Sequence, residues 1–218
     1  MLRREVLVIR AVDFASCYVY SPCGSCEVSE RSRLLRALIK AGDSRLLLKY
    51  ALRVRQQASE LPQLTGFFDS TVVLVPVPGS EPRDSDVVSV TEHLAAALVR
   101  EGLGQTAWAG LRRVRAVGKS ATAPPGERPT VAKHYDSFAV ECTDSLSAPR
   151  HFVLVDDVVT KGRTLLAAAA RLQEAFPCAR IRAFALLRTM GLVPEVNRLL
   201  DPCVGEIRWR AGDAHRSP

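Results

Sequence analysis

Hydrophobic positions along the chain alternate between two periods. Residues 72–75 and 152–155 are unbroken apolar runs, and 181–187 is apolar but for Arg182; all are too short for helices and rich in Val, Leu and Phe, so they read as buried strands. Between them the spacing is helical. Leu34, Leu35, Leu38 and Ile39 recur on one face, residues 46–58 continue the pattern, and Val87, Val90, Leu94 and Leu98 share a face of a helix over 87–100. An Ala/Leu-rich helix follows over 164–176. Shorter strands are expected at 5–9, 106–110 and 136–140, and 204–210 alternates like a final edge strand carrying Trp209. Strands that take turns with helices predict an α/β fold with a mostly parallel central sheet flanked by helices.

The breaks are as informative. Gly42-Asp43 separates the first two helices, and Gly102 and Gly104 end the third. Residues 111–136 are basic and loop-like around Pro124-Pro125-Gly126, a length that in a compact domain marks either a lid or disorder. The chain therefore divides into 1–30, a strand and a Cys-rich turn; 31–66, a helical segment; and 67–218, the core with its 111–136 lid. A length of 218 residues with 47% hydrophobic content fits one such domain plus an accessory element.

Charge and cysteines refine the picture. Of a net +7, most lies in residues 31–60, where eight cations face two anions and Arg45, Lys49 and Arg53 stand at i, i+4, i+8. Such a stripe suits water, a diphosphate or single-stranded nucleic acid; Tyr50 alone offers an aromatic platform there, which weakens the last. No apolar run approaches the roughly 20 residues of a membrane span. Arg10 and Asp13 close the short apolar run after Arg3 and Arg4, which argues against a signal peptide, so the expected compartment is the cytoplasm. Cysteines there are reduced or metal-bound. Cys17, Cys23 and Cys26, spaced Cys-x5-Cys-x2-Cys, resemble half of a zinc knuckle; tetrahedral zinc needs a fourth ligand, from Cys142, Cys178 or Cys203. The alternative is a reduced, metal-free turn.

The chemistry concentrates in residues 150–166. An apolar strand breaks at Asp156 and Asp157, a Thr-x-Gly-x-Thr loop follows, and a helix begins. Ionised carboxylates accept from sugar hydroxyls. Thr160 and Thr164 offer hydroxyls, Gly162 lets backbone N–H groups turn inward, and the helix N-terminus favours a phosphate. A Walker A loop is excluded because Lys161 precedes Gly162. A second loop, Pro76, Val77, Pro78, Gly79 and Ser80, ends the 72–75 strand, with the Val77–Pro78 bond open to either isomer.

Val-Leu-Val-Asp-Asp-Val-Val-Thr-Lys-Gly-Arg-Thr, residues 153–164, resembles the PRPP-binding signature of type I phosphoribosyltransferases. The Pro-Val-Pro strand end, the basic helices and the Cys-rich start narrow the likeness to the ComF/GntX-like branch, although the Arg-Gly-Phe-Asn-Gln run of that branch is absent after Pro78. The resemblance implies a type I phosphoribosyltransferase-like fold with a Cys-containing N-terminal extension. It assigns Asp156 and Asp157 to catalysis through the ribose hydroxyls. Val159, Thr160, Lys161, Gly162, Arg163 and Thr164 would take the 5-phosphate. Pyrophosphate would fall to Pro76, Val77, Pro78, Gly79, Ser80, Lys119 and Arg128. It further implies Mg²⁺ with PRPP and an unassigned acceptor nucleophile, with a homodimer as the assembly to test; of the four histidines, His134, in the lid region, is the acid/base candidate, beside His93 in a helix, His151 at a strand start and His215 in the tail. The ComF likeness brings in DNA or DNA-processing proteins as partners and leaves room for a PRPP sensor without turnover; a single-stranded nucleic-acid-binding module on residues 31–60 stays open beside it.

Overall fold

The computed structural model describes residues 9–82, 88–118, 128–141, 150–191 and 195–218. Along these run β1 (Ala11–Tyr20), α1 (Glu27–Ala41), α2 (Ser44–Glu60), α3 (Pro62–Thr65), β2 (Val73–Pro76), α4 (Val90–Arg100), β3 (Thr106–Ala107), β4 (Leu111–Arg113), α5 (Val131–Ser137), β5 (Phe138–Val140), β6 (His151–Val159), α6 (Arg163–Ala175), β7 (Arg180–Thr189), β8 (Leu200–Arg210) and β9 (Asp213–Ser217).

Seven strands form one sheet in the order β3-β2-β6-β7-β1-β8-β9, and β4 pairs with β5 in a separate ribbon. The first five are mutually parallel, and β8 and β9 close the far edge antiparallel. Each face buries a core. On one, Phe152, Leu154, Ala183 and Ala185 pack against the α6 row Leu165 to Ala170, with Val131 of α5. On the other, Val153, Val155 and Phe184 meet Leu35 and Ile39 of α1, Leu47 and Val54 of α2, and Leu94 and Leu98 of α4. The result is a three-layer α/β fold, as the alternating pattern predicts.

Layering places the functional crevice. From β2 the chain leaves through α4 on one face toward β3; from the neighbouring β6 it leaves through α6 on the other face toward β7. The two connections diverge, so the carboxyl ends of β2 and β6 border a topological switch point, where open α/β sheets accommodate ligands. Val77 N–H donates to Val155 O at 2.9 Å and fixes the two ends side by side.

Several expectations are corrected. Residues 5–8 of the expected first strand lie outside the described ones. The first described strand is β1, running through the stretch read as a Cys-rich turn and sitting centrally between β7 and β8. Its sequence, AVDFASCYVY, is dominated by β-branched, aromatic and small residues that suit a doubly covered strand. Residues 11–20 are thus woven into the core sheet. The 111–136 stretch is structured at both ends, by β4 and by α5, whose N-cap Thr130 accepts from Lys133 N–H. The strand expected at 136–140 is shortened to β5 and belongs to the small ribbon. The 204–210 strand extends from Leu200 and is not the edge: a reversal with positive φ at Ala211 and Gly212 returns the chain as β9.

Candidate functional site

β6 runs on through the acidic pair to Val159, so Asp156 and Asp157 are held by strand pairing with β7. Asp157 is 5% exposed. Its Oδ2 meets the ammonium of Lys40, which lies in the last turn of α1 just before the left-handed Gly42 that ends the helix. Asp156 is less covered, and its Oδ1 accepts from Asp157 N–H at 2.8 Å. Burial, then the adjacent Asp157 charge, push the Asp156 carboxyl well above the ordinary carboxylate range, with Lys40 opposing.

The loop beyond them has the geometry expected of an anion cradle. Gly162 adopts φ 85°, and α6 starts at Arg163 with no side chain capping its first turn. A Cβ at Gly162 would meet Ile207 of β8 at 2.6 Å, so both the left-handed backbone and the close approach require glycine. Thr160 and Lys161 are exposed and Val159 is buried. The loop's two cations are already engaged. Arg163 grips Asp213 of β9 with Nε–Oδ1 at 2.5 Å and a second guanidinium nitrogen to Oδ2 at 2.6 Å, and Lys161 Nζ lies 3.3 Å from Oδ2. These contacts, Arg163 first, hold the Asp213 carboxyl well below its usual range. Arg163 also donates to the carbonyl of Pro129 at 3.2 Å and of Arg128 at 3.4 Å, tying residues 128 and 129 to the 159–164 loop.

Across the crevice, the 76–80 loop hangs on Arg113. That guanidinium donates to the carbonyls of Gly79 and Pro78 and to Ser137 Oγ, and lies 4.1 Å from the Phe138 ring centroid. Burial lowers its proton affinity to about 10, partly offset by Asp156, and leaves it fully cationic at neutral pH. The Val77–Pro78 peptide is trans. Val77 O accepts from Thr91 Oγ1 at 2.9 Å, and Ser80 O from Val117 N–H at 2.8 Å. A cleft of about 380 Å³ lined by Arg115, Val117, Lys133 and Asp136 opens next to this loop.

His134 joins the two sides. It is 3% exposed, its Nε2 is 3.5 Å from Thr164 Oγ1, and its Nδ1 has no hydrogen-bond partner among the described residues. Burial, then Arg113 and Arg163, push its imidazole down to about 4, so it is neutral at pH 7. As an acid/base it is therefore poised far from neutrality; as a fixed dipole beside Thr164 it is well placed.

Of the residues read from sequence, Asp156, Asp157, Val159 to Thr164 and the 76–80 loop converge on one crevice. Arg128 lies at its margin, exposed; Lys119 falls outside the described residues. The three cysteines part company. Cys17 is fully buried in β1, where burial pushes its thiol up to about 12, while exposed Cys23 and half-buried Cys26 flank the start of α1. Among the described residues no group of three His, Cys, Asp or Glu side chains is placed to hold a metal ion. Lys40, Arg113 and Asp213 were missed as site residues. The Ala211-Gly212 turn between alternating runs was a readable hairpin signal for Asp213; nothing local distinguishes Lys40 or Arg113 from other exposed-looking cations.

No protein-family model matches the chain, and no curated protein matches it. Among solved structures the chain is similar to a hypoxanthine phosphoribosyltransferase from Trypanosoma cruzi, with 15% identity, 72% of each chain covered and a TM-score of 0.33. It is also similar to one from Staphylococcus aureus, with 11% identity, 70% of each chain covered and a TM-score of 0.31. A third likeness, at 12% identity and a TM-score of 0.33, is to an alanine mutant from an analysis of an invariant aspartic acid in HPRTs, covering 72% of this chain and 75% of that one.

Proposed function

We propose that the protein is a PRPP-binding, phosphoribosyltransferase-like protein of the ComF/GntX-like branch that transfers a 5-phosphoribosyl group to a nucleophile with release of pyrophosphate. One observation carries the reading. The acidic strand end Asp156-Asp157, the left-handed Gly162 and the uncapped start of α6 sit in sequence at the switch point between β2 and β6. That arrangement offers acceptors for ribose hydroxyls and, one loop away, N–H donors and a helix dipole for a phosphate.

In the reaction the bond from C1 to the pyrophosphate oxygen breaks and a bond from C1 to the nucleophile forms, with the electron pair leaving on pyrophosphate. Asp156 faces the sugar, where positive charge develops. The 76–80 loop, braced by Arg113, is aligned for the leaving group before it departs, which is preorganised electrostatic support. Lys119 and Arg128 complete that side in this reading. Thr164 meets the phosphate with its hydroxyl oriented by the neutral His134. Magnesium, bound with PRPP, supplies charge neutralisation for the pyrophosphate. Asp156 would hold it, releasing on metal binding the proton that its raised titration favours, since Asp157 is covered by Lys40.

Calorimetric titration of PRPP with Mg²⁺ tests the proposal. The wild type is expected to bind in the micromolar range, about 8 kcal/mol at 1 µM, and Asp156→Asn to weaken binding by roughly tenfold or more, the worth of a hydrogen bond to a charged group. A wild type that ignores PRPP overturns the reading. The sensor alternative shares the binding result and differs in releasing no pyrophosphate with any acceptor. A separate observation favours a nucleic-acid contact: α2 turns Arg45, Lys49 and Arg53 to solvent along one face.

A further inference from the structure

Each guanidinium nitrogen of Arg113 and Arg163 has a protein partner, whereas Lys40 and Lys161 make one charged contact each, and of the two only Lys40 sits on the acidic pair. Arg113 directs Nε and both terminal nitrogens to Gly79 O, Ser137 Oγ and Pro78 O. Arg163 and Lys161 are held by Asp213. Lys40 touches Asp157, yet the two are unequally covered: the carboxylate side chain is 7% exposed and the lysine 49%. An ammonium carries three donors, so one contact with Asp157 leaves donors to spare on a half-exposed side chain beside the acidic pair. Its position is fixed from both ends of α1. At the helix start Glu195 accepts from Ser25 N–H at 3.1 Å, Ser25 Oγ at 3.0 Å and Cys26 N–H at 3.0 Å; at the other end Gly42 terminates the helix one residue past Ala41.

We propose that Lys40 is a ligand-binding residue: a resident cation that neutralises the buried Asp157 and presents its remaining donors to the anionic oxygens of the sugar diphosphate. The inference rests on the PRPP reading of the same crevice and deepens it. A carboxylate already paired with an ammonium attracts a divalent cation weakly, and the ammonium itself supplies charge that a metal would otherwise bring. The basic helical segment 31–66 thereby enters the site through one side chain. The consequence is sugar-phosphate binding that persists without divalent metal.

The test is calorimetric titration of PRPP into wild type and Lys40→Met, in EDTA and in Mg²⁺. The wild type is expected to bind in EDTA within about tenfold of its Mg²⁺ affinity. Lys40→Met should lose roughly 10- to 100-fold in EDTA, the worth of one charge-assisted hydrogen bond, and recover much of it in Mg²⁺. Because that variant leaves Asp157 buried without its cation, a second measurement uses the wild type alone. PRPP in EDTA should protect Lys40 from reductive methylation, read by peptide mass, while exposed Lys49 reacts as before. Wild-type binding only with Mg²⁺, tighter binding by Lys40→Met, or a Lys40 made more reactive by PRPP would overturn the proposal and leave the PRPP reading standing. Wild-type binding in neither buffer would overturn both.

Discussion

At the scale of single residues, the site is a set of opposite charges that the chain satisfies within itself, and His134 is the member whose state is most unusual. In the unfolded chain its imidazole titrates near 6.5; in the fold, burial and the two flanking guanidinium groups push it down to about 4. Between those values the unfolded chain takes up a proton that the folded one refuses. Stability from this residue is therefore complete above about pH 6.5 and is lost as pH falls toward 4, by roughly 3 kcal/mol at most. Urea unfolding of the wild type and of His134→Gln at pH 7 and pH 4.5 should show the wild type losing more stability than the variant by roughly 2–3 kcal/mol. Parallel losses would mean that His134 is charged or exposed in the folded protein. The same neutrality argues that Thr164, which His134 orients, keeps its function unchanged between pH 6 and 8.

At the scale of elements, the C-terminal hairpin β8–β9 is as much part of the site as the loop it supports. Ile207 fills the space that Gly162 leaves, and Asp213 takes a bidentate hold of Arg163. The bond is partly shielded, with side-chain exposures of 19% and 23%, so it is worth more than an open surface pair. Asp213→Asn should cost roughly 1–3 kcal/mol, the range of hydrogen bonds to charged groups, measured as a shift in denaturant midpoint without change of slope. Because the folded Asp213 carboxyl titrates below its unfolded value, that stability is present above about pH 4 and fades on further acidification. An unchanged midpoint would detach the hairpin from the loop. Legibility follows the same division. β2, β6, β7, α2, α4 and α6 were readable because their apolar runs and spacings are local, and the Asp-Asp to Thr-x-Gly-x-Thr run carried the crevice with it. β1 was hidden because the spacing of Cys17 to Cys23 and Cys26 reads as a Cys-rich turn although its neighbours are strand formers, and the Lys40–Asp157 and Arg163–Asp213 pairs join residues 117 and 50 positions apart. Contacts of that kind depend on the sheet order, which no local pattern encodes.

At the scale of the whole molecule, the excess positive charge divides into cations absorbed by the fold and cations left outside it. Arg33 donates to Gly24 O at 2.7 Å, Arg36 covers the Tyr20 ring, Lys40 sits on Asp157, and Arg55 pairs with Glu101 at 3.3 Å. Beyond Arg31, which lies 4.0 Å from Glu27 on α1, what remains on the basic segment is the exposed row Arg45, Lys49 and Arg53 on α2, a helix whose opposite face is buried through Leu47, Ala51 and Val54. Rows of that spacing track a phosphate backbone by charge alone, and three contacts to a single strand set a slope of about −2 in the logarithm of affinity against the logarithm of salt. Raising salt from about 50 to 200 mM should then weaken single-stranded DNA binding by roughly 20-fold. Fluorescence anisotropy with a labelled oligonucleotide would read that slope in the wild type and its disappearance when Arg45, Lys49 and Arg53 are replaced together by Glu. PRPP should leave the binding intact, because the row lies on α2 and none of its members lines the crevice between β2 and β6. A slope that survives the triple replacement would assign the DNA contact to another surface, and no binding at low salt would make the row a solvated face of a protein whose chemistry lies wholly in the crevice.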